Sequence, residues 1–205
     1  MIKEQAKGKV KTLLNMLPQE QKEVVILQPN LDPYTVKFTK DAVDISKDMV
    51  KLAKEQLTDS TKLLLLPETA LPGWMVETHI KNQRKVRIIL DLFHEYPNLS
   101  IVTGAETYEY LYADRRPTPT AKHQEKDVYY DSYNTAILLE RYQEPVLYHK
   151  SKLVPGPEKV PFINMFHFLE QFHISIPGSA GSLGVSKEPI VLKTKNGISL
   201  APLIC

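Results

Sequence analysis

The chain has 205 residues, enough for one domain with a real core, and its 42% hydrophobic and 24% charged content is ordinary for a globular protein. A net charge of +2, with no Lys/Arg block interleaved with aromatics, gives no reason to expect a nucleic-acid partner. No apolar run approaches the ~20 residues that span a bilayer, and the single cysteine, Cys205, cannot close an internal disulfide.

Residues 1–22 are basic and polar. Lys3, Lys7, Lys9 and Lys11 precede no hydrophobic h-region, so no signal peptide is expected, and the segment reads as a lead-in or linker to a domain over 23–205. Val24–Gln28 is a continuous apolar run, consistent with a strand buried on both faces, and it ends at the turn signal Pro29-Asn30. Between Thr39 and about Leu57 the residues Ala42, Ile45, Met49, Leu52, Ala53 and Leu57 recur at helical spacing, with Thr39 as N-cap and Asp41 in the first turn. Leu63–Leu66 is the next buried strand.

That strand runs into Pro67-Glu68-Thr69-Ala70-Leu71-Pro72-Gly73-Trp74. A carboxylate directly after an apolar strand is expected to be partly desolvated, which suits Glu68 to taking a proton near neutral pH. A helix cap or a plain loop charge is the blander alternative. Trp74 walls a pocket or covers the core. A second amphipathic helix is expected from about Glu77 to Glu95, stopping before Pro97. Ser100–Thr103 is a strand, and Glu106 beyond it reads as an exposed strand-end charge. Residues 111–127, centred on Arg115-Arg116-Pro117, read as a flexible loop. Tyr133–Leu139 and Val146–Tyr148 read as the arms of a hairpin.

The second arm leads into a loop stiffened by Pro155, Pro157 and Pro161, each of which fixes φ and removes a backbone donor. The loop carries Lys150 just past the strand and Glu158 deeper in, where loops on a rigid scaffold often hold functional groups. A proline-rich surface turn with solvated charges is the simpler account of this stretch alone. Phe162–Phe172 is apolar and aromatic, and Ser175–Lys187 is rich in Gly and Ser. Ile190–Lys193 and Ile198–Leu200 flank Lys195-Asn196-Gly197, a strong hairpin signal, and the second strand continues to Cys205. The six histidines show no paired spacing that suggests a metal site, and no cofactor is expected.

Three strand ends thus carry Glu68, Lys150 and Cys205, a set suited to acyl transfer. The thiolate attacks a carbonyl to form a thioester, Glu68 moves the protons, and Lys150 supplies fixed positive charge beside the oxyanion while favouring the thiolate.

The sequence resembles the nitrilase (carbon–nitrogen hydrolase) superfamily and, within it, the apolipoprotein N-acyltransferases. The matching residues are Val25-Ile-Leu-Gln-Pro-Asn30, Leu66-Pro-Glu-Thr-Ala-Leu-Pro72, Tyr133-Asn-Thr135, Tyr148-His-Lys-Ser-Lys-Leu-Val-Pro155 with Glu158 and Val160-Pro161, and Pro202-Leu-Ile-Cys205. The Glu and Cys motifs belong to the whole superfamily; the Leu-Val-Pro loop with its trailing Glu points to the acyltransferases. The resemblance implies an α-β-β-α sandwich, here incomplete at the C-terminus. It also implies Glu68 as base, Lys150 as oxyanion lysine, Cys205 as nucleophile and Glu158 as a second, supporting acid. A phospholipid would donate an acyl chain to Cys205, and the N-terminal amine of a diacylglyceryl-cysteine lipoprotein would accept it. The domain would face the periplasm from the bacterial inner membrane, held there by transmembrane segments that this sequence does not contain.

Two departures from the family pattern stand out. Gly156 and Pro157 occupy positions where the family often has an aromatic and a glycine, and no residue follows Cys205 to offer its backbone N–H to the oxyanion. A terminal carboxylate beside the sulfur would oppose the thiolate, so the chain as it stands is expected to be an inactive fragment of the enzyme; fast, Glu68-dependent acylation of Cys205 would contradict that. Two other readings use the same residues: a soluble amidase or nitrilase relative acting on a small amide, and a non-catalytic interaction module in which Cys205 is a buried hydrophobe.

Overall fold

The structure is a computed structural model, and it describes residues 21–29, 41–155, 158 and 182–204. The expectations placed on most of the lead-in, on Thr39, on Pro157, Pro161 and 162–172, and on Cys205 fall outside those residues.

Seven strands form one mixed sheet. They are β1 (Glu23–Ile26), β2 (Thr61–Leu65), β3 (Leu71–Val76), β4 (Ser100–Tyr112), β5 (Lys122–Glu125), β6 (Val128–Glu140) and β7 (Val146–His149). The order is β1-β2-β4-β6-β5, with β3 also on β4 and β7 also on β6. β1, β2 and the start of β4 run parallel, while β4 and β6 are antiparallel over their full length, from Ser100↔Glu140 to Tyr112↔Val128. The hairpin expected around Tyr133 and Val146 is present, as β6 and β7 with Thr135↔His149 in register.

Side-chain alternation along β4 and β6 divides the sheet into two faces. Ile101, Ala105, Ile137 and Leu139 pack into the hydrophobic core shared with the helices. Helix α1 (Ala42–Lys54) supplies Ile45, Met49 and Ala53 to that core, each all but inaccessible to solvent. Such burial contributes about 1.5–3 kcal/mol per large side chain. Its N-cap is Asp41, whose carboxylate accepts from the Val43 N–H at 2.8 Å, so Asp41 takes the capping role expected of Thr39.

The expected helix over 77–95 is three pieces: a 3-10 helix (Glu77–Asn82), α2 (Arg84–Leu90) and α3 (Leu92–Glu95). His79 and Gln83 leave the helical region, and Glu77 at the start is held sideways by tertiary hydrogen bonds to Thr107 and His149. Tertiary contacts override a periodicity that remains correct, since Ile80, Val86, Ile89, Leu92 and Phe93 are all buried. The last piece stops before Pro97, as the restriction on pre-proline residues requires.

Other expectations are corrected. β1 is an edge strand with Val24 and Ile26 exposed, so its apolar run does not signal burial on both faces. Residues 111–127 contain the end of β4 and the whole of β5, and Thr118 and Thr120 both donate to the buried Asp131 carboxylate. Trp74 is exposed on β3. The Asn-Gly hairpin forms, as β8 (Leu192–Lys193) and β9 (Ser199–Leu200), with Gly197 at φ +75° in its turn. It is a separate two-stranded sheet, however: β9 does not join the mixed sheet, and Ala201–Ile204 is not a strand. The hairpin is tied to the large sheet at the Ser100–Glu140 end. There Glu140 accepts from both Ser100 Oγ and the Lys195 N–H, and Asn196 donates to the Asn98 carbonyl at 2.6 Å.

Candidate active site

Glu68 stands on a loop created by a change of partner. β2 and β3 lie on the same edge of β4: Leu65 pairs with Val102, and Leu71 with Ala105. The loop between them crosses directly over Gly104, whose N–H donates to the Pro67 carbonyl at 3.3 Å. A Cβ on residue 104 would lie 2.8 Å from the Glu68 Cα and 2.9 Å from the Thr69 nitrogen, so only glycine lets the loop sit this low. Thr69 takes φ +52°, a left-handed conformation that costs a non-glycine residue of order 1 kcal/mol. Just beyond, Lys85 of α2 reaches into the start of β3 and donates to the Pro72 and Gly73 carbonyls. Burial pulls its ammonium down to about 8 from 10.5, with Glu106 opposing.

The Glu68 carboxylate accepts from Asn134 Nδ2 at 2.6 Å. It is exposed, so the expected desolvation is not found; a hydrogen bond from a buried amide orients it instead. Asn134 lies within Tyr133-Asn-Thr135, where nothing local in the sequence marks it as part of a site. The signal that finds it is its position in β6 directly opposite Glu106 and one strand from Gly104. Glu106 itself is not a strand-end charge, for it lies inside the thirteen-residue β4.

Lys150 extends the β6–β7 ladder by one step, its N–H donating to the Asn134 carbonyl at 2.8 Å. The residue is 1% exposed, among the most enclosed of the described residues. A buried ammonium persists only when paired, and Glu158 supplies the partner: Lys150 Nζ lies 2.9 Å from Glu158 Oε1. The other carboxylate oxygen, Oε2, accepts from the Val154 N–H at 2.8 Å, so Glu158 closes the 150–158 loop as well as balancing charge. A carboxylate therefore ties the described ends of this loop together.

Glu68, Asn134, Lys150 and Glu158 thus form one connected path across three elements. It offers an accessible carboxylate at one end and a fixed, enclosed cation further along. Cys205 lies outside the described residues; the chain leading to it is described as far as Ile204, beyond β9. Among the described residues no group of His, Cys, Asp and Glu could hold a metal ion.

The profile of the carbon–nitrogen hydrolase family matches residues 24–205, and the chain belongs to that family. The mixed α/β fold agrees with the nitrilase-like architecture of its members. Among solved structures, an amidase from Nesterenkonia sp. is similar at 17% identity and a TM-score of 0.45, over 92% of this chain and 57% of the other. A glutamine-dependent NAD+ synthetase from Acinetobacter baumannii is similar at 16% identity and a TM-score of 0.42, over 80% of this chain and 25% of the other. The chain therefore spans little more than half the length of the first and a quarter of the second. A search of curated proteins returned no match.

Proposed function

We propose that the protein carrying this chain is a thiol-dependent acyltransferase that N-acylates the terminal cysteine of diacylglyceryl lipoproteins, with a phospholipid as acyl donor. The observation that supports it is the Lys150–Glu158 pair: an enclosed ammonium held by the trailing glutamate of the Tyr-His-Lys-Ser-Lys-Leu-Val-Pro loop. Cys205 is the nucleophile. Glu68 takes the thiol proton, the thiolate attacks the phospholipid ester carbonyl, the C–O bond breaks, and Glu68 returns that proton to the departing lysophospholipid alkoxide. The lipoprotein amine then attacks the thioester, the C–S bond breaks, and Glu68 takes the amine proton as the amide forms. Lys150 stabilises the oxyanion in both halves. Such a reaction places the domain on the periplasmic side of the inner membrane.

Amide hydrolysis through the same residues is the second reading, and the family match favours it about equally. The experiment that separates them is intact-mass analysis of the full-length protein after incubation with a phospholipid, a diacylglyceryl-cysteine peptide, or a panel of small amides. The acyltransferase reading expects an acyl adduct on Cys205 from the phospholipid, transfer to the peptide, and at least a hundredfold slower adduct formation in Glu68→Gln. Ammonia release from amides without phospholipid adduct would make it an amidase; no adduct at all would leave a non-catalytic module.

A further inference from the structure

Lys150 and Glu158 stand at the two ends of one loop, and a support common to both lies on the other face of the sheet. His149 pairs with Thr135 in the ladder, so its side chain faces the helices while Lys150, one residue on, faces the site. The His149 Nε2 lies 2.7 Å from Glu77 Oε1. That oxygen also accepts from Thr107 Oγ1 at 2.7 Å, and Thr107 Oγ1 is 2.6 Å from Thr135 Oγ1. Both threonines are fully buried. The imidazole is also stacked on the Tyr133 ring, centroid to centroid 3.7 Å with 11° between planes. Tyr133 in turn donates to Glu109.

The Tyr133 ring has a further neighbour. Gly184 lies against it so closely that any Cβ there would enter the ring. The Gly184 N–H donates to the Ser132 carbonyl at 2.8 Å, and the adjacent Leu183 N–H donates to the Glu158 carbonyl at 3.0 Å. One stack therefore meets the strand that leads into Lys150 and the segment that holds the backbone of Glu158.

We propose that His149 is a positioning residue: clamped by Glu77 and stacked on Tyr133, it sets the backbone from which Lys150 reaches Glu158. The proposal rests on the reading of Lys150 as the oxyanion cation for its effect on rate, though not for the geometry. A peptide plane gripped through its side chain by a hydrogen bond and a stack leaves the next residue little freedom, and a displacement of about 1 Å at a reacting group costs up to a hundredfold in rate.

The test uses His149→Phe, which keeps the stack and removes the bond to Glu77, and His149→Gln, which can restore a donor; Glu77→Gln is the second variant should His149→Phe not fold. Two quantities are read on the full-length protein. The first is acetylation of Lys150 by a water-soluble activated ester, followed by mass spectrometry with exposed Lys51 as internal reference. The second is the kcat and KM of acyl-adduct formation on Cys205. Positioning expects Lys150 labelling to rise at least fivefold in His149→Phe, with kcat falling roughly ten- to a hundredfold at unchanged KM, and His149→Gln recovering most of both. Unchanged Lys150 labelling would overturn the proposal. Unchanged rates in Lys150→Met would instead overturn the assigned role of Lys150, with the labelling still deciding the role of His149.

Discussion

At the residue scale the site is built by giving each charge a fixed partner. Glu158 faces Lys150, Asn134 orients Glu68, and two carbonyls hold Lys85. Lys85 gives the clearest pH signature. Its folded-state value is depressed, to about 8 from 10.5, because burial disfavours the ammonium. Between those values the unfolded chain binds more protons than the folded one, so stability rises as pH rises through the window. The neutral amine still has two N–H groups for the Pro72 and Gly73 carbonyls. Tyr133 acts in the opposite sense above about pH 10: burial and its bond to Glu109 raise its phenol, so the folded state keeps a proton that the unfolded state loses. Urea unfolding at pH 8 and pH 10 is expected to show greater stability at the higher pH, and Lys85→Met should remove most of that difference. An unchanged difference in Lys85→Met would contradict the assignment.

At the scale of elements, the sheet makes the site by switching partners. β4 pairs with β2 and then with β3, and the Glu68 loop fills the gap over Gly104. Gly104→Ala is expected to destabilise by about 1–3 kcal/mol, the usual cost of forcing atoms into packed space. It should also slow adduct formation on Cys205, because the clash falls on the backbone of Glu68 itself. Denaturant midpoints together with adduct rates check both effects; wild-type behaviour in both would mean that the loop rides free of β4. Much of this was legible in advance. The apolar runs located β2 and the start of β4, the Asn-Gly pair located the β8–β9 turn, and Pro67-Glu68 marked the loop. What could not be read is tertiary. Nothing local in Leu71–Val76 announces a strand, since Pro72 and Gly73 argue against one and only the free edge of β4 recruits it. The break after Glu77 likewise depends on Thr107 and His149, distant in sequence.

At the scale of the molecule, one sheet packs the helices against one face and presents Asn134 and Lys150 on the other. The β8–β9 hairpin is fastened through Lys195 and Asn196 to the end of the sheet where Ser100 and Glu140 pair. From that anchor β9 sends the chain toward Cys205. Glu68 and Lys150 were visible in the sequence as residue types at strand ends, but their connection through Asn134 was not, because that path is drawn by the β4–β6 register. In the proposed mechanism Cys205 joins Glu68 and Lys150 in one site. The measurement that tests it most directly is the pair of distances from Cys205 Sγ to the Glu68 carboxylate and the Lys150 ammonium in a crystal structure of the full-length protein. Separations of a hydrogen bond, or one bridging water, around an open pocket are expected. A Cys205 packed into apolar core, or far from Lys150, would contradict the account.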